Sequence, residues 1–217
     1  MFHVKLNRER HSMAKINIPA TGAWRGLISD FAQSSIDSAA TIGRDLESRL
    51  DRIERDRTRT QLEKLPMRKK AAEQAKAALD ERLSLPFRLG VQAGEAATME
   101  RKTDLMPSET NLSAMTLAQT LLTKSPAEIK KLAMIDPRFA QAANYYPPEA
   151  FGLKRDEHTE MMSKAWETHF PEKAAAEAAA IADLRALDVL NRAVGDFCKM
   201  EIEQCAQGMA SAGRVED

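Results

Sequence analysis

The chain has 217 residues with 32 basic and 32 acidic side chains, so it carries no net charge, and a strongly basic nucleic-acid binder is not the default interpretation. Hydrophobic residues make up 43% and aromatic residues only 5%, which favours helices packed through small side chains. No apolar run approaches the roughly 20 residues that span a bilayer, and no signal-peptide pattern opens the chain, so we expect a cytoplasmic protein without a membrane partner.

The first 35 residues are expected to form an N-terminal arm or a short docking helix. Four large apolar side chains would share one side of such a helix, which predicts docking onto the body of the protein or, alternatively, an anchor for a partner. They are Trp24, Leu27, Ile28 and Phe31.

Residues 36–65 carry the clearest pattern of a long helix. Apolar residues follow one another in steps of three and four, which defines a heptad repeat that we call the first seam. It comprises Ile36, Ala39, Gly43, Leu46, Leu50 and Ile53. Beyond Ile53 the repeat slips by one step to reach Leu65, like a stutter in a coiled coil. Because this seam is narrow, we expect Leu46, Leu50, Ile53 and Leu65 to mediate self-association.

The same region carries a surplus of positive charge. Residues 49–70 contain nine basic and four acidic side chains, which gives a local balance of +5. A solvated helix face explains this surplus, and a phosphate-contacting surface is the alternative. The residues that would contact phosphate are Arg49, Arg52, Arg59, Arg68, Lys69 and Lys70.

Prolines and glycines divide the next segment. Pro66 is expected to end or kink the long helix, and a second helix is predicted over residues 67–84. Pro86, Gly90 and Gly94 predict a bend, and residues 91–111 a linker with marginal helix. Residues 36–105 would therefore form a charged helical hairpin and its linker, with a boundary near residue 105.

Residues 106–217 are expected to form a C-terminal helical domain. It begins with a short helix over residues 112–123, followed closely by a second helix at Ser125. Residues 117–132 therefore resemble a helix-turn-helix, although Leu122 stands where the tight turn normally carries glycine. An ordinary helical hairpin is the other interpretation of this element.

Residues 125–170 hold six of the eleven aromatic side chains, which predicts a compact core there. Ser125 is a favourable N-cap, Pro126 suits the first helical position, and Glu128 completes a capping box. Asp136-Pro137 should break or restart that helix.

The candidate residues for chemistry are two histidines and two cysteines. His158 and His169 share a helix face but are eleven residues apart, which favours capping or burial over metal binding. Cys198 and Cys205 are too far apart on one helix to bridge and are predicted to be buried thiols rather than a redox or metal pair. We therefore expect no catalytic residue, metal or cofactor, and we identify no small-molecule substrate.

Pro171 opens the last and longest predicted helix, about 35 residues. Its heptad repeat, which we call the second seam, comprises Leu184, Leu187, Asn191, Val194, Cys198 and Cys205, with Glu201 as the odd member. The first four are expected to mediate self-association, with Asn191 fixing register.

Residues 125–205 resemble small helical proteins encoded beside the head genes of tailed bacteriophages. The residues that carry the resemblance are the runs 136–143 and 147–153, the helix with His158 and the alanine- and glutamate-rich helix that follows. The resemblance implies a virion component or an assembly accessory rather than an enzyme.

The sequence thus predicts an all-α protein, an elongated helical bundle with long coiled-coil-like helices. The predicted function is non-catalytic and structural, through helix–helix association with itself or with other structural proteins, in the cytoplasm or the virion. The alternative is a nucleic-acid-associated regulator that uses the basic 49–70 helix or the degenerate helix-turn-helix.

Overall fold

A computed structural model of the chain describes residues 15–106 and 112–213. Helices account for 84% of the described residues and no β-strand occurs among them, so the all-α prediction is confirmed. The α-helices are α1 (Asp30–Arg55), α2 (Gln61–Leu105), α3 (Leu112–Leu121), α4 (Pro126–Ile135), α5 (Pro137–Ala143), α6 (Arg155–His169) and α7 (Pro171–Gly213). Short 3-10 helices span Thr21–Trp24 and Pro148–Phe151.

The described residues divide into two compact units. The bundle unit contains residues 15–25, 30–85 and 186–213, and the short-helix unit contains residues 26–29, 86–106 and 112–185. The domain boundary predicted near residue 105 coincides with the end of α2, and that domain assignment stays a prediction. The first 14 residues of the expected N-terminal arm and residues 107–111 of the expected linker lie outside the described residues.

The bundle unit is built from α1, the first part of α2 and the last part of α7. Hydrogen bonding joins Arg49 of α1 to Gln74 of α2, and an added Cβ on Gly43 of α1 would lie 3.1 Å from Val194 of α7. Along the contact between α2 and α7, residue numbers increase on one helix while they decrease on the other, so these two helices are antiparallel. The pairs are Leu65 with Gly208, Arg68 with Glu201 and Leu79 with Gly195.

The predicted helix over residues 36–65 is two helices, so the slip of the first seam beyond Ile53 marks the end of α1 and not a stutter. Asp56 accepts hydrogen bonds from the backbone N–H and the hydroxyl of Thr58, which builds a local turn. Thr60 and Glu63 then form reciprocal bonds that start α2, with Thr60 N donating to Glu63 Oε2 at 2.7 Å. Such local side-chain bonds offer the backbone an alternative to continuing the helix.

The predicted helix end at Pro66, loop near Pro86 and linker over residues 91–111 are corrected for the described residues up to Leu105, because α2 is continuous from Gln61 to Leu105. Pro66 lies near the start of α2, where it removes one early helical hydrogen bond. Pro86 lies deep in the helix, and its ring is buried. Proline costs a helix interior about 3 kcal/mol, so tertiary packing of the 45-residue helix offsets that cost.

The expected docking of the N-terminal segment occurs through different residues. Ile16 is buried and its N–H donates to Glu47 Oε1 at 2.7 Å. Ile18 packs beside Gly43, where an added Cβ would lie 2.9 Å from Ile18 Cδ1, so a larger residue at this position would require the Ile18 side chain to shift. Leu27 and Phe31, two of the four predicted docking side chains, are instead exposed.

The short-helix unit contains α3 to α6 and the adjoining parts of α2 and α7. Helix α5 packs against both α3 and α4, and α6 packs against α4. The core includes Ile129, Phe151, Met161 and Trp166, which confirms the compact aromatic core predicted for residues 125–170.

Candidate interaction surfaces

The two seams lie largely in the protein's own interior. Leu46 and Leu50 of the first seam are buried, as are Leu187 and Val194 of the second. Ile53, Leu65, Leu184 and Asn191 are half-buried. The four buried side chains, Leu46, Leu50, Leu187 and Val194, are therefore not a free surface for a second chain. The narrow first seam predicts self-association, yet this chain buries Leu46 and Leu50 itself. Self-association itself stays a prediction.

Glu201, the odd member of the second seam, belongs to a buried polar cluster in the bundle unit. Arg68 Nε of α2 donates to Glu201 Oε1 at 2.6 Å, and the Cys205 thiol donates to the same oxygen at 3.6 Å. Arg68 also lies 3.8 Å from a carboxylate oxygen of Glu54 on α1. The cluster therefore connects all three helices, and it explains why an acidic residue occupies a core position of the seam.

The six basic residues predicted to contact phosphate do not form one surface, because Arg68 belongs to the buried polar cluster. Arg68 is paired with Glu201 and is mostly buried, so its position does not favour the predicted phosphate contact. Lys69 lies 3.7 Å from Glu73, and Arg59 lies 3.3 Å from Asp56. The remaining members, Arg49, Arg52 and Lys70, are exposed. Acidic neighbours are thus interleaved with the basic side chains, and the nucleic-acid alternative stays a prediction that rests on the remaining five.

Both cysteines are free, buried thiols. Burial raises the pKa of Cys198 to about 11. Burial, with the nearby Glu201 carboxylate, likewise raises the pKa of Cys205 to about 11. Because the thiolate is the nucleophile, these thiols are poor nucleophiles near neutral pH.

The two histidines cap the ends of two different helices. His158 Nε2 donates to the carbonyl of Ala143, the last residue of α5, at 3.1 Å. His169 Nε2 donates to the carbonyl of Ala133, in the last turn of α4, at 2.8 Å. A carbonyl only accepts, so each neutral ring carries its proton on Nε2. The predicted capping role of the two histidines is therefore confirmed.

The helix-turn-helix resemblance at residues 117–132 corresponds to α3 and α4, separated by residues 122–125. Ile129 and Ala133 on α4 are buried in the core of the short-helix unit. Both helices pack on α5, which makes them part of a larger helical cluster. Reading of DNA by α4 stays a prediction.

One surface was missed by the sequence analysis because residues 91–111 were interpreted as a linker. It lies on the last part of α2 and on Met106, the residue directly after that helix, within the short-helix unit, and we call it the α2 stripe. Its six members follow one another in steps of three and four, and all are exposed: Leu89, Gln92, Ala96, Met99, Thr103 and Met106. The signal was present in the sequence as a 3,4 repeat.

Three members of the α2 stripe are large apolar side chains that are exposed. Leu89 is 43% exposed, Met99 61% and Met106 59%. Other positions of the same helix segment contact α7, since a Cβ on Gly90 would lie 2.8 Å from Leu184 Cδ2 and Arg101 lies 3.6 Å from Glu177. The segment is thus a helix with one packed face and one apolar flank in contact with solvent.

Comparisons with protein families, curated proteins and solved structures return no match to this chain. Among the described residues, no helix combines the length and the apolar character needed to cross a membrane. The inference of function therefore depends on the surfaces described above.

Proposed function

We propose that this protein is a non-catalytic structural or assembly protein that acts through helix–helix association. The observation that carries the proposal is the α2 stripe, where Leu89 and Met99 on one flank of a long helix, and Met106 directly after its end, are exposed at positions of a 3,4 repeat. Exposed apolar side chains at this spacing are typical of helices that pair with other helices.

Four side chains of residue types that are common in catalysis are occupied in structural contacts among the described residues. His158 and His169 bond to backbone carbonyls at helix ends, and Cys198 and Cys205 are buried with raised pKa values. This use of the four residues supports a structural rather than a catalytic role.

A virion or head-assembly accessory is the more specific form of this proposal. It is supported by the resemblance of residues 125–205 to small helical proteins encoded beside the head genes of tailed bacteriophages. Structural phage genes on both sides of the coding sequence would support it, and a cellular operon of unrelated enzymes would count against it.

The nucleic-acid alternative predicts a different behaviour in solution. A protein that neutralises several phosphates is retained on heparin or DNA, and its retention falls steeply with salt. The assembly proposal predicts weak retention, because three of the six candidate basic side chains, Arg59, Arg68 and Lys69, lie beside acidic side chains. Strong, salt-sensitive retention would favour the alternative.

Site-specific photo-crosslinking in the producing cells tests the proposal directly. A photoreactive phenylalanine analogue at Met99 should crosslink to a protein, either a second copy or a structural protein identified by mass spectrometry. The same analogue at Ala77, exposed on α2 in the bundle unit, is the matched control and should give far less product. Crosslinks from Met99 only to nucleic acid, or no crosslinks at either position, would contradict the proposal.

A further inference from the structure

The α2 stripe has charged side chains along one edge, at the same heptad spacing. Arg88, Glu95 and Lys102 each stand immediately before a stripe member, and all three are exposed. In coiled-coil notation they occupy g positions, while Leu89, Ala96 and Thr103 occupy a positions and Gln92, Met99 and Met106 occupy d positions. Charges at such flanking positions select partner and orientation.

We propose that the α2 stripe is covered by the α2 stripe of a second copy of this chain, packed antiparallel. This inference rests on the proposed function and names its partner. Leu89 then faces Met106 of the second copy, Gln92 faces Thr103 and Ala96 faces Met99. At the centre, the large Met99 of each copy faces the small Ala96 of the other, and the polar residues Gln92 and Thr103 face each other.

The charges distinguish the two orientations. In the antiparallel pair the g positions face each other, so Glu95 lies beside Lys102 of the second copy, and the two-fold symmetry gives this contact twice. In a parallel pair, Glu95 would instead lie beside Glu100 of the second copy, which places like charges together. The sequence of the exposed edge therefore favours the antiparallel arrangement.

The contact is short, which sets its strength. From Leu89 to Thr103, the last member of the stripe within α2, the helix rises about 21 Å, or roughly four turns. Such a contact lies at the small end of protein interfaces, so the dimer forms at high protein concentration and is weakened by disruption of a single central residue. Met99 is that residue, because it and its symmetry mate flank the two-fold axis.

Analytical ultracentrifugation of the full chain tests the dimer. The wild type should show a concentration-dependent monomer–dimer equilibrium. Met99→Asp should be monomeric with an unchanged helical signal, because the side chain is exposed in the single chain. Glu81→Lys changes an exposed charge of α2 away from the stripe and is the matched control, with no expected change. A wild type that stays monomeric at high concentration overturns the inference.

Charge reversal tests the orientation and register. At low salt, Glu95→Lys and Lys102→Glu should each weaken the dimer by about fivefold or more, and the double variant E95K/K102E should regain wild-type association. A shift by one heptad would instead place Glu95 beside Glu95 of the second copy and Lys102 beside Arg88, so stronger association of Lys102→Glu would overturn this register. Failure of the double variant to recover would overturn the antiparallel pair.

The failure of this inference differs from the failure of the proposed function. A monomeric wild type together with a crosslink from Met99 to a different structural protein overturns the second copy as occupant and leaves the proposed function in place. A monomeric wild type without any protein crosslink from Met99 would contradict both the dimer and the proposed function.

Discussion

The two units of the molecule stabilise their helices in different ways. In the bundle unit, long helices pack through buried seams, with one ion pair between Arg68 and Glu201 in the interior. In the short-helix unit, helices of 7 to 15 residues have their ends satisfied by specific side chains. Each helix leaves about four N–H and four carbonyl groups without intrahelical partners, so the ends are a larger share of a short helix than of a long one.

In the short-helix unit, the side chains that bond to the helix ends come from residues throughout the unit. Ser125 and Glu128 cap the start of α4, and Asp136 accepts a bond from the Arg138 N–H at the start of α5. Gln141 Nε2 donates to the carbonyl of Asp104 at 2.8 Å, and Asn144 Nδ2 donates to that of Leu105 at 2.9 Å. The C-terminus of α2 is therefore capped by side chains distant in sequence. We therefore expect a substitution in a buried seam to destabilise the whole bundle unit, and a substitution at a helix end to destabilise only that helix end.

The largest effect is expected for Leu50→Asp, which places a charge in the buried first seam. An unpaired carboxylate in an apolar interior should cost about 4 kcal/mol or more, so the bundle unit should lose cooperative unfolding. Hydrogen-exchange mass spectrometry should show loss of protection in α1 and in residues 186–205, with residues 125–170 protected. Leu50→Met is the volume-conserving control. A smaller species with intact helix would instead show that Leu50 faces another chain.

The next largest effect is expected for Glu201→Leu. Removal of the carboxylate leaves the Arg68 guanidinium partly buried without its closest partner. Because Arg68 keeps some exposure and lies near Glu54, the loss of unfolding free energy should be roughly 2–3 kcal/mol, below that of a fully buried pair. In urea denaturation, the double variant R68M/E201L should recover most of the loss. A double variant as unstable as Glu201→Leu would mean that the charge pair is not the cause.

A local effect is expected for the two histidine caps. His158→Ala should cost about 1 kcal/mol by leaving the Ala143 carbonyl without its bond, and His169→Ala should do the same for Ala133. Exchange should increase at the end of α5 in the first variant and at the end of α4 in the second. Each variant is the control for the other, and equal changes at both sites would contradict separate capping roles.

The smallest effect is expected at the start of α4. Ser125→Ala should cost about 1 kcal/mol at neutral pH through loss of the N-cap. Hydrogen bonds from the backbone and hydroxyl of Ser125 lower the pKa of Glu128 below its ordinary value of 4.5. The carboxylate's contribution is therefore present above pH 4.5 and is lost as the pH falls through the lowered pKa.

The measurement for this cap is thermal unfolding of the wild type and of Ser125→Ala at neutral pH and in acid. The difference between the two proteins should shrink in acid, because the Ser125 hydroxyl, which alanine lacks, donates to the Glu128 carboxylate and this bond weakens when Glu128 is protonated. Glu128→Gln is the matched control and should flatten the pH dependence of the difference. An undiminished difference in acid would mean that the cap acts without Glu128.

The sequence by itself determined the helical class, the N-cap at Ser125 and the break at Asp136-Pro137, since these follow from local periodicity and short-range hydrogen bonds. It also indicated the capping role of His158 and His169 and the burial of both cysteines. The identities of the carbonyls bound by the histidines were not accessible, because Ala143 and Ala133 are 15 and 36 residues away from their partners.

Only the tertiary structure decided which helices continue and which faces are free. Pro86 alone predicts a helix break, yet α2 continues through it because tertiary packing offsets the cost. The Leu105 carbonyl at the end of α2 is capped by Asn144, which lies 39 residues further along the chain. Arg68 reads locally as part of a basic surface, yet Glu201, 133 residues away, draws it into the bundle unit. A heptad repeat has the same pattern whether its partner is in the same chain or in another. Hence the first seam was buried internally while the α2 stripe was left exposed.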